Sequence, residues 1–206
     1  MSRFPGCSVM TEVDRDYELD LVARLRAGDP SAFDVVHECY NKRLFNFLAR
    51  LARRREVAED LLEETWLRLV SRVSTLRNDT RLGPWLFTVA RNLYVSYRRS
   101  RLVEDSYASG FIGLWPCGVV GRSPFEMAAS TETERRIESA LAALPVIYRE
   151  AVLLTVEGLS SADAAQVCGI SPEAMRQRLR RGRALLVRSL DDNDVPFIAA
   201  LRQVKA

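Results

Sequence analysis

Residues 158–190 read GLSSADAAQVCGISPEAMRQRLRRGRALLVRSL, and they predict two short helices joined by a tight turn. Ser160 is a suitable N-cap for the first helix, and an acidic residue follows three positions later to complement the free amides of its first turn. This helix is expected to end at Gly169, because glycine adopts the left-handed conformation without strain. Ser171 caps the second helix, which has Pro172 at its first position. The pattern is typical of a helix-turn-helix.

The second helix has an apolar stripe on one side and arginines on the other. At about 100° per residue, the stripe contains Met175, Leu179, Gly182 and Leu186. A guanidinium can bind a phosphate bidentately or contact the O6/N7 edge of guanine. A solvated basic face would have the same composition, but the preceding turn favours DNA, because helix-turn-helix proteins place their second helix in the major groove. The predicted DNA contacts are Glu173, Arg176, Gln177, Arg178, Arg180, Arg181 and Arg183.

The N-terminal half predicts a second helical domain. Residues 1–15 are expected to form a disordered tail. Beyond them, apolar residues recur at three- and four-residue steps in four stretches. The first begins at Asp16, and the second runs from Pro30 to the three arginines at 53–55. The other two predicted helices cover about 57–73 and 84–101. Together these helices make a domain over 16–101.

Glycine and proline interrupt residues 102–129, which predicts a flexible linker. Its apolar residues indicate that the linker packs against another surface and is not fully solvated. A C-terminal domain over 130–190 follows, with helices expected from Ser130 to Ala143 and from Val146 to Glu157. The helix from Val146 to Glu157 is expected to cover the helix-turn-helix core with Ile147, Ala151, Leu154 and Val156. Residues 191–206 are expected to form a C-terminal tail. The predicted fold class is all-α, two small helical domains joined by a flexible linker, the C-terminal one containing a helix-turn-helix.

Composition excludes several classes of protein. The chain has 206 residues and a net charge of +3. It lacks an apolar run of about 18 residues and an N-terminal signal core, so no membrane insertion is expected. Its four cysteines are scattered without a Cys-x-x-Cys pair, which favours a reducing cytoplasm over disulfides or zinc. His37 and Cys39 are interpreted as ordinary helix residues. No metal, cofactor or catalytic residue is predicted.

The helix at 84–101 mixes aromatic and basic residues. Proteins hold unpaired bases by stacking on aromatic rings, and cations follow the backbone. Trp85 and Phe87 could instead be core residues, which is the favoured interpretation for Phe87. Asn92 and the arginines beside it are not explained by a core.

Two motifs resemble bacterial sigma factors of the extracytoplasmic-function group. The first is AEDLLEETWLR at 58–68 with GPWLFTVARN at 83–92, which is similar to the region that holds the minus-ten promoter element. The second extends from Leu144-Pro145 to Arg183 and is similar to the region that binds the minus-thirty-five element. The family commonly has alanine where this chain has Gly182, and glycine is expected to weaken the helix by up to ~1 kcal/mol.

The resemblance implies roles for particular residues. Asp60, Glu63, Glu64 and Arg68 match the helix that docks on the clamp helices of RNA polymerase. Asn92 and the loop at 78–83 match a pocket for a base flipped out of the non-template strand. The minus-ten residues it implies are Asn78, Trp85, Arg91, Asn92, Arg98 and Arg99.

The implied partners are core RNA polymerase (through its clamp helices and flap), promoter DNA and an anti-sigma factor. Two other functions fit the sequence less well. A sigma-like decoy would only titrate an anti-sigma factor, and phosphate-binding arginines would serve it no purpose. An enzyme would need a nucleophile motif, a phosphate-binding loop or a metal motif, and the sequence has none of these. Its single histidine also leaves little general acid–base chemistry at pH 7.

Overall fold

The computed structural model describes residues 15–109, 125 and 131–190. Within these ranges the chain is helical and has no strand, as the all-α prediction requires. None of the described helices is long and apolar enough to cross a membrane. The α-helices are α1 (Arg15–Arg26), α2 (Pro30–Ala52), α3 (Arg55–Arg72), α4 (Leu82–Ser109), α5 (Glu132–Ala143), α6 (Val146–Val156), α7 (Ser161–Cys168) and α8 (Pro172–Ser189), with a 3-10 turn at Val73–Thr75.

Local chemistry determines where α2 begins and ends. Asp29 caps its N-terminus by accepting a hydrogen bond from the amide of Ser31 at 2.9 Å, and Pro30 occupies the first position. At the other end Arg53 adopts φ 57°, which is the left-handed conformation, and its amide donates to the carbonyl of Ala49. The chain therefore turns within the arginine run and α3 starts at Arg55.

Helix α4 continues to Ser109, beyond the end expected at Arg101. The reason is that residues 102–109 contain neither glycine nor proline, and the first glycine is Gly110. Its N-terminus is held by α1: the carboxylate of Glu18 accepts the amide of Leu82 at 2.8 Å. Glu18 is only 6% exposed, so this contact joins two helices far apart in sequence.

Helices α1–α4 form the N-terminal body. The predicted apolar stripe of α2 is buried, and α2 packs on α3 and α4. Phe47 of α2 contacts Phe87 of α4 edge to face, with ring centroids 5.4 Å apart. Phe87 is fully buried, which confirms its interpretation as a core residue.

Helices α5–α8 form the C-terminal body, and its turns follow the predicted chemistry. Ser160 accepts the amide of Asp163, Gly169 has φ 65°, and Ser171 accepts the amide of Ala174. The stripe of Met175, Leu179, Gly182 and Leu186 is buried. The helix-turn-helix prediction is therefore confirmed.

The prediction for α6 is wrong at two positions. Ala151 and Leu154 are buried as expected, but Ile147 is 46% exposed and Val156 is 49% exposed. Ile147 lies in the first turn of the helix, whereas Val156, its last residue, is rotated by about 140–160° from Ala151 and Leu154 at about 100° per residue.

Gly182 lets α8 approach α6 closely. A Cβ at this position would lie 3.1 Å from Cγ2 of Val152 and 3.4 Å from Cβ of Tyr148. Separations this short are at the lower edge of van der Waals contact. The helix propensity that glycine loses is therefore offset by close packing of α6 against α8.

The C-terminal body packs directly on the N-terminal body. Helix α7 lies against α4, and α6 lies against α2. Buried residues of both bodies, such as Leu44, Phe87, Leu154 and Met175, belong to one continuous apolar cluster. No sequence pattern predicted this packing, which places the two predicted DNA-binding surfaces on one compact molecule.

Candidate nucleic-acid and protein interfaces

The polar face of α8 points away from the rest of the chain. Burial of Met175 and Leu179 fixes the rotation of the helix on the C-terminal body. As a result Glu173, Arg176, Gln177, Arg180 and Arg181 are exposed, while Arg178 and Arg183 are half-buried at the flanks. The structure thus exposes five of the seven predicted residues on the polar face of α8 and places the other two at its edges.

Arg176 is engaged within the same helix. Its Nη2 lies 2.5 Å and its Nε 3.2 Å from Oε2 of Glu173. The hydrogen bond from Arg176 lowers the pKa of Glu173, which keeps this carboxylate ionised. The spacing of three residues could have indicated this pair from sequence. A DNA group that binds Arg176 must therefore either replace the Glu173 carboxylate as its hydrogen-bond acceptor or bind the guanidinium donors that this carboxylate leaves available.

Helix α3 presents an acidic face that is followed by two exposed apolar residues. Asp60 and Glu63 are exposed, and Glu64 pairs with Arg68 at 2.9 Å. Sequence reasoning missed the apolar component, although Leu67 lies three and four residues from Glu64 and Glu63, and Val70 lies three residues beyond Leu67. Leu67 and Val70 are each 57% exposed. We call these residues the α3 face: Asp60, Glu63, Glu64, Leu67, Arg68 and Val70.

Three of the predicted minus-ten residues lie along one stripe of α4. Trp85, Asn92 and Arg99 are seven residues apart, which places them on the same side of a helix. Asn92 and Arg99 are exposed, whereas Trp85 is half-buried against the core. Arg98 is half-buried and donates a hydrogen bond to the hydroxyl of Tyr94 at 3.1 Å. The last, Asn78, is exposed in the loop that precedes α4.

Arg91 faces the C-terminal body, unlike the exposed Asn92 and Arg99. Its Nη2 lies 3.2 Å from Oε2 of Glu150 on α6, and its Nε is buried without a hydrogen-bond partner among the described residues. Arg81, in the 78–83 loop, likewise donates two hydrogen bonds to Asp163 of α7, one of them at 3.0 Å. These pairs join residues 59 and 82 positions apart, so local sequence patterns could not reveal them.

Two more arginines, both on α2, contact the C-terminal body. Arg50 pairs with Glu138 of α5 at 2.8 Å and lies 4.0 Å from the ring centroid of Phe125. Phe125, near the end of the predicted linker, lies against the N-terminal body. Arg43 donates to the carbonyl of Glu157 at 3.0 Å. We call these contacts the domain interface: Arg43 with Glu157, Arg50 with Glu138, Arg81 with Asp163, and Arg91 with Glu150.

The carboxyl group of Glu157 is also buried at the domain interface. The residue is 8% exposed, and burial raises its pKa to about 7. Arg50 and Arg43 act in the opposite direction, as do Asn46 through a hydrogen bond and Lys42 through its charge. Desolvation outweighs these four groups, so the folded chain favours the protonated carboxyl.

Stability is therefore expected to fall as the pH rises from about 4.5 to about 7. The unfolded chain releases the Glu157 proton near pH 4.5, whereas the folded chain, in which the pKa is raised, retains it to about pH 7. The free energy of unfolding should decrease by roughly 2–3 kcal/mol across this window from this group alone. Denaturant melts of the wild-type chain and of Glu157→Gln between pH 5 and 8 measure it. The variant should lack this part of the decrease, and identical pH profiles would contradict the assignment.

Metal binding has no support in the part of the chain that the structure describes. No group of three or more His, Cys, Asp or Glu side chains there could hold an ion. The ring of His37 instead lies 4.9 Å from that of Trp66. Cys168 is a buried free thiol.

Family profiles match both bodies. The profile described as Sigma-70 region 2 covers residues 36–103, and that of Sigma-70, region 4 covers residues 134–186. The first includes α3, most of α4 and their loop. The second includes the helix-turn-helix and most of α8.

Individual relatives agree with the profiles. RNA polymerase sigma factor CarQ of Myxococcus xanthus is 35% identical over 160 residues, covering 77% of this chain and 89% of CarQ. ECF RNA polymerase sigma factor EcfG of Rhodopseudomonas palustris is 35% identical over 143 residues, covering 68% and 75%. The sigma factor RpoE, solved in complex with the anti-sigma factor NepR from Bartonella quintana, shares the fold with a TM-score of 0.58 at 24% identity, over 85% of this chain and 96% of that one.

Proposed function

Because the chain belongs to the extracytoplasmic-function group of RNA polymerase sigma factors, we propose that its two bodies each bind one promoter element. Sigma factors of this group bind core RNA polymerase, recognise promoter DNA and initiate transcription. In the proposed arrangement α8 contacts the minus-thirty-five element, and α4 with the 78–83 loop contacts the minus-ten element. The outward polar face of α8 is the observation that carries the assignment.

The upstream contacts divide into two proposed groups. Arg176, Gln177 and Arg180 lie on the exposed side of α8, where they can meet base edges in the major groove. Arg178, Arg181 and Arg183 are assigned to phosphates, which fix the position of the helix without sequence information. A decoy that only titrated an anti-sigma factor would not use these arginines, so the exposed face favours promoter binding.

The proposed minus-ten contacts are suited to a single DNA strand that has separated from its complement. Exposed Asn92 can hydrogen-bond a base turned out of the duplex, while Arg98 and Arg99, further along α4, can follow the backbone. Unstacking a base costs a few kcal/mol, which these contacts must offset. Trp85 keeps part of its ring accessible at the same side of α4, where a base can stack on it.

The α3 face is assigned to the polymerase. Its carboxylates can pair with basic groups of the clamp helices, and Leu67 and Val70 can bury their exposed area in the same contact. The chain contributes no catalytic group of its own in this scheme, because the polymerase carries out the chemistry. We propose that the protein acts in the cytoplasm. Its proposed regulator is an anti-sigma factor, as in the RpoE–NepR complex.

Charge reversal on the α3 face is expected to reduce polymerase binding. Asp60→Lys with Glu63→Lys replaces attraction by repulsion at two exposed positions, so the fold should be unaffected. Close charge pairs across interfaces contribute about 1.5 kcal/mol or more, so affinity for core enzyme should fall at least roughly tenfold.

The matched control is Asp16→Lys with Asp20→Lys, which makes the same charge change at exposed positions of α1. Affinity for purified core polymerase is measured by biolayer interferometry, and circular dichroism checks folding. Equal affinity of the α3 variant and the control would remove the α3 face from the docking site.

A further inference from the structure

Two arginines of the proposed minus-ten surface are occupied by the chain's other body. Arg81 binds Asp163, and Arg91 binds Glu150. The two carboxylate side chains are 8% and 4% exposed, so the contacts are enclosed on the C-terminal side. This arrangement places acidic groups of the upstream-binding body directly against cations of the downstream-binding body.

A carboxylate and a phosphate bind a guanidinium in the same way, through two oxygens facing the N–H fork. Arg81 donates to both oxygens of Asp163 in this manner. Asp163 and Glu150 therefore stand where phosphate oxygens of a DNA strand would stand. While these pairs persist, the guanidinium N–H groups that bind Asp163 and Glu150 are not available to bind DNA.

Promoter geometry requires the two bodies to separate. Elements at minus ten and minus thirty-five are centred about 25 base pairs apart, which corresponds to about 85 Å of duplex. A compact chain of this length has a radius of gyration of about 17 Å. With α7 packed on α4, the molecule cannot contact both elements at once.

The ion pairs contribute only part of the stability of the closed chain, because the two bodies also share an apolar cluster. The side chain of Arg81 is 53% exposed, and solvent-exposed pairs contribute little. Arg91 is more enclosed, but its buried Nε lacks a hydrogen-bond partner among the described residues, so the closed arrangement leaves a donor unsatisfied. A DNA strand can satisfy donors that the carboxylates do not.

We propose that Asp163 and Glu150 are internal substitutes for promoter phosphates. In the closed chain they hold Arg81 and Arg91, and separation of the two bodies releases these arginines to the backbone of the minus-ten strand. Arg81 is thereby added to the DNA-binding residues. The inference rests on the proposed function for its biological meaning, but the exchange itself concerns only the isolated chain and single-stranded DNA.

Two pairs of substitutions test the exchange. Asp163→Asn with Glu150→Gln removes the negative charges and preserves shape, and an asparagine can still accept the hydrogen bond from Ser160. Arg81→Ala with Arg91→Ala breaks the same contacts from the other side. Both variants should open the chain, but only the first should leave the DNA-binding cations in place.

The probe is a fluorescent 20-nucleotide single strand of random sequence, and opening is followed by small-angle X-ray scattering. A closed population of about nine in ten lowers apparent affinity about tenfold, so the carboxylate variant should bind the strand about tenfold more tightly than wild type. Its radius of gyration should also increase. The arginine variant should expand equally, yet its salt slope should be shallower than that of the carboxylate variant by about 1.4, for two lost phosphate contacts.

The control is Glu132→Gln, an exposed acid of α5 outside the domain interface, which should behave as wild type. Asp163→Asn alone provides a milder variant, and alkylation of the buried Cys168 beside Arg91 reports local opening in each case. If the carboxylate variant keeps wild-type scattering and affinity, the proposal is overturned. Expansion and tighter DNA binding without polymerase association would support the exchange and reject only the proposed function.

Discussion

Replacing Arg149 with methionine is expected to destabilise the C-terminal body by about 2–4 kcal/mol. Arg149 is 7% exposed, and its guanidinium donates to the carbonyls of Leu141 at 3.0 Å and Leu144 at 2.9 Å, and also to that of Ala142. These carbonyls lie at the C-terminal end of α5, where a helix lacks internal partners. Methionine matches the length of the stem but leaves buried acceptors without their charged donor.

Chemical denaturation followed by circular dichroism measures this loss. Arg188→Met is the matched control, because Arg188 is exposed on α8 and should change stability by less than about 0.5 kcal/mol. Arg149→Lys keeps the charge but not the planar fork, so it should recover only part of the stability. Equal stability of Arg149→Met and the control would show that the hydrogen bonds to α5 do not hold the body together.

Replacing Arg176 or Arg180 with alanine is expected to weaken binding of the minus-thirty-five element by about 1–3 kcal/mol each, or roughly 5- to 150-fold. The two effects should differ. Arg180→Ala removes a donor only, whereas Arg176→Ala also leaves the Glu173 carboxylate exposed without its 2.5 Å partner. An unpaired acid beside DNA adds repulsion, so Arg176→Ala should have the larger effect.

Glu173→Gln in the Arg176→Ala background separates the two contributions. The second substitution should restore part of the lost affinity if repulsion is involved, and Arg188→Ala at the far end of α8 is the control. Footprinting of holoenzyme on promoters with altered upstream bases measures selectivity. Unchanged selectivity in either arginine variant would remove that residue from the set that contacts bases.

Much of the fold followed from local chemistry in the sequence. The helix-turn-helix was predictable because each boundary has its own chemical signal: a serine cap, a glycine with positive φ, and a proline at the first helical position. The orientation of α8 followed from its apolar stripe. For the same reason five of its seven predicted DNA contacts lie together on the exposed face, and Arg178 and Arg183 flank the buried stripe.

Contacts between distant residues could not be found in this way. Glu18 caps α4, and Arg50 pairs with Glu138, across separations of 64 and 88 residues. Only the packing of helices brings such partners together. Arg91 illustrates the consequence, since the sequence placed it among exposed DNA contacts and the structure pairs it with Glu150. Leu67 and Val70 were missed because the sequence draws attention to acids on that face.

Run-off transcription with purified core RNA polymerase on a genomic promoter library tests the central claim most directly, namely that this chain directs polymerase to promoters through α8 and α4. The account predicts discrete start sites that share upstream and downstream elements. It also predicts that these sites are lost with Arg176→Ala and Arg180→Ala combined, while Arg188→Ala leaves them unchanged. Core enzyme that gains no start site from the wild-type chain, or gains the same sites from the double variant, would contradict it.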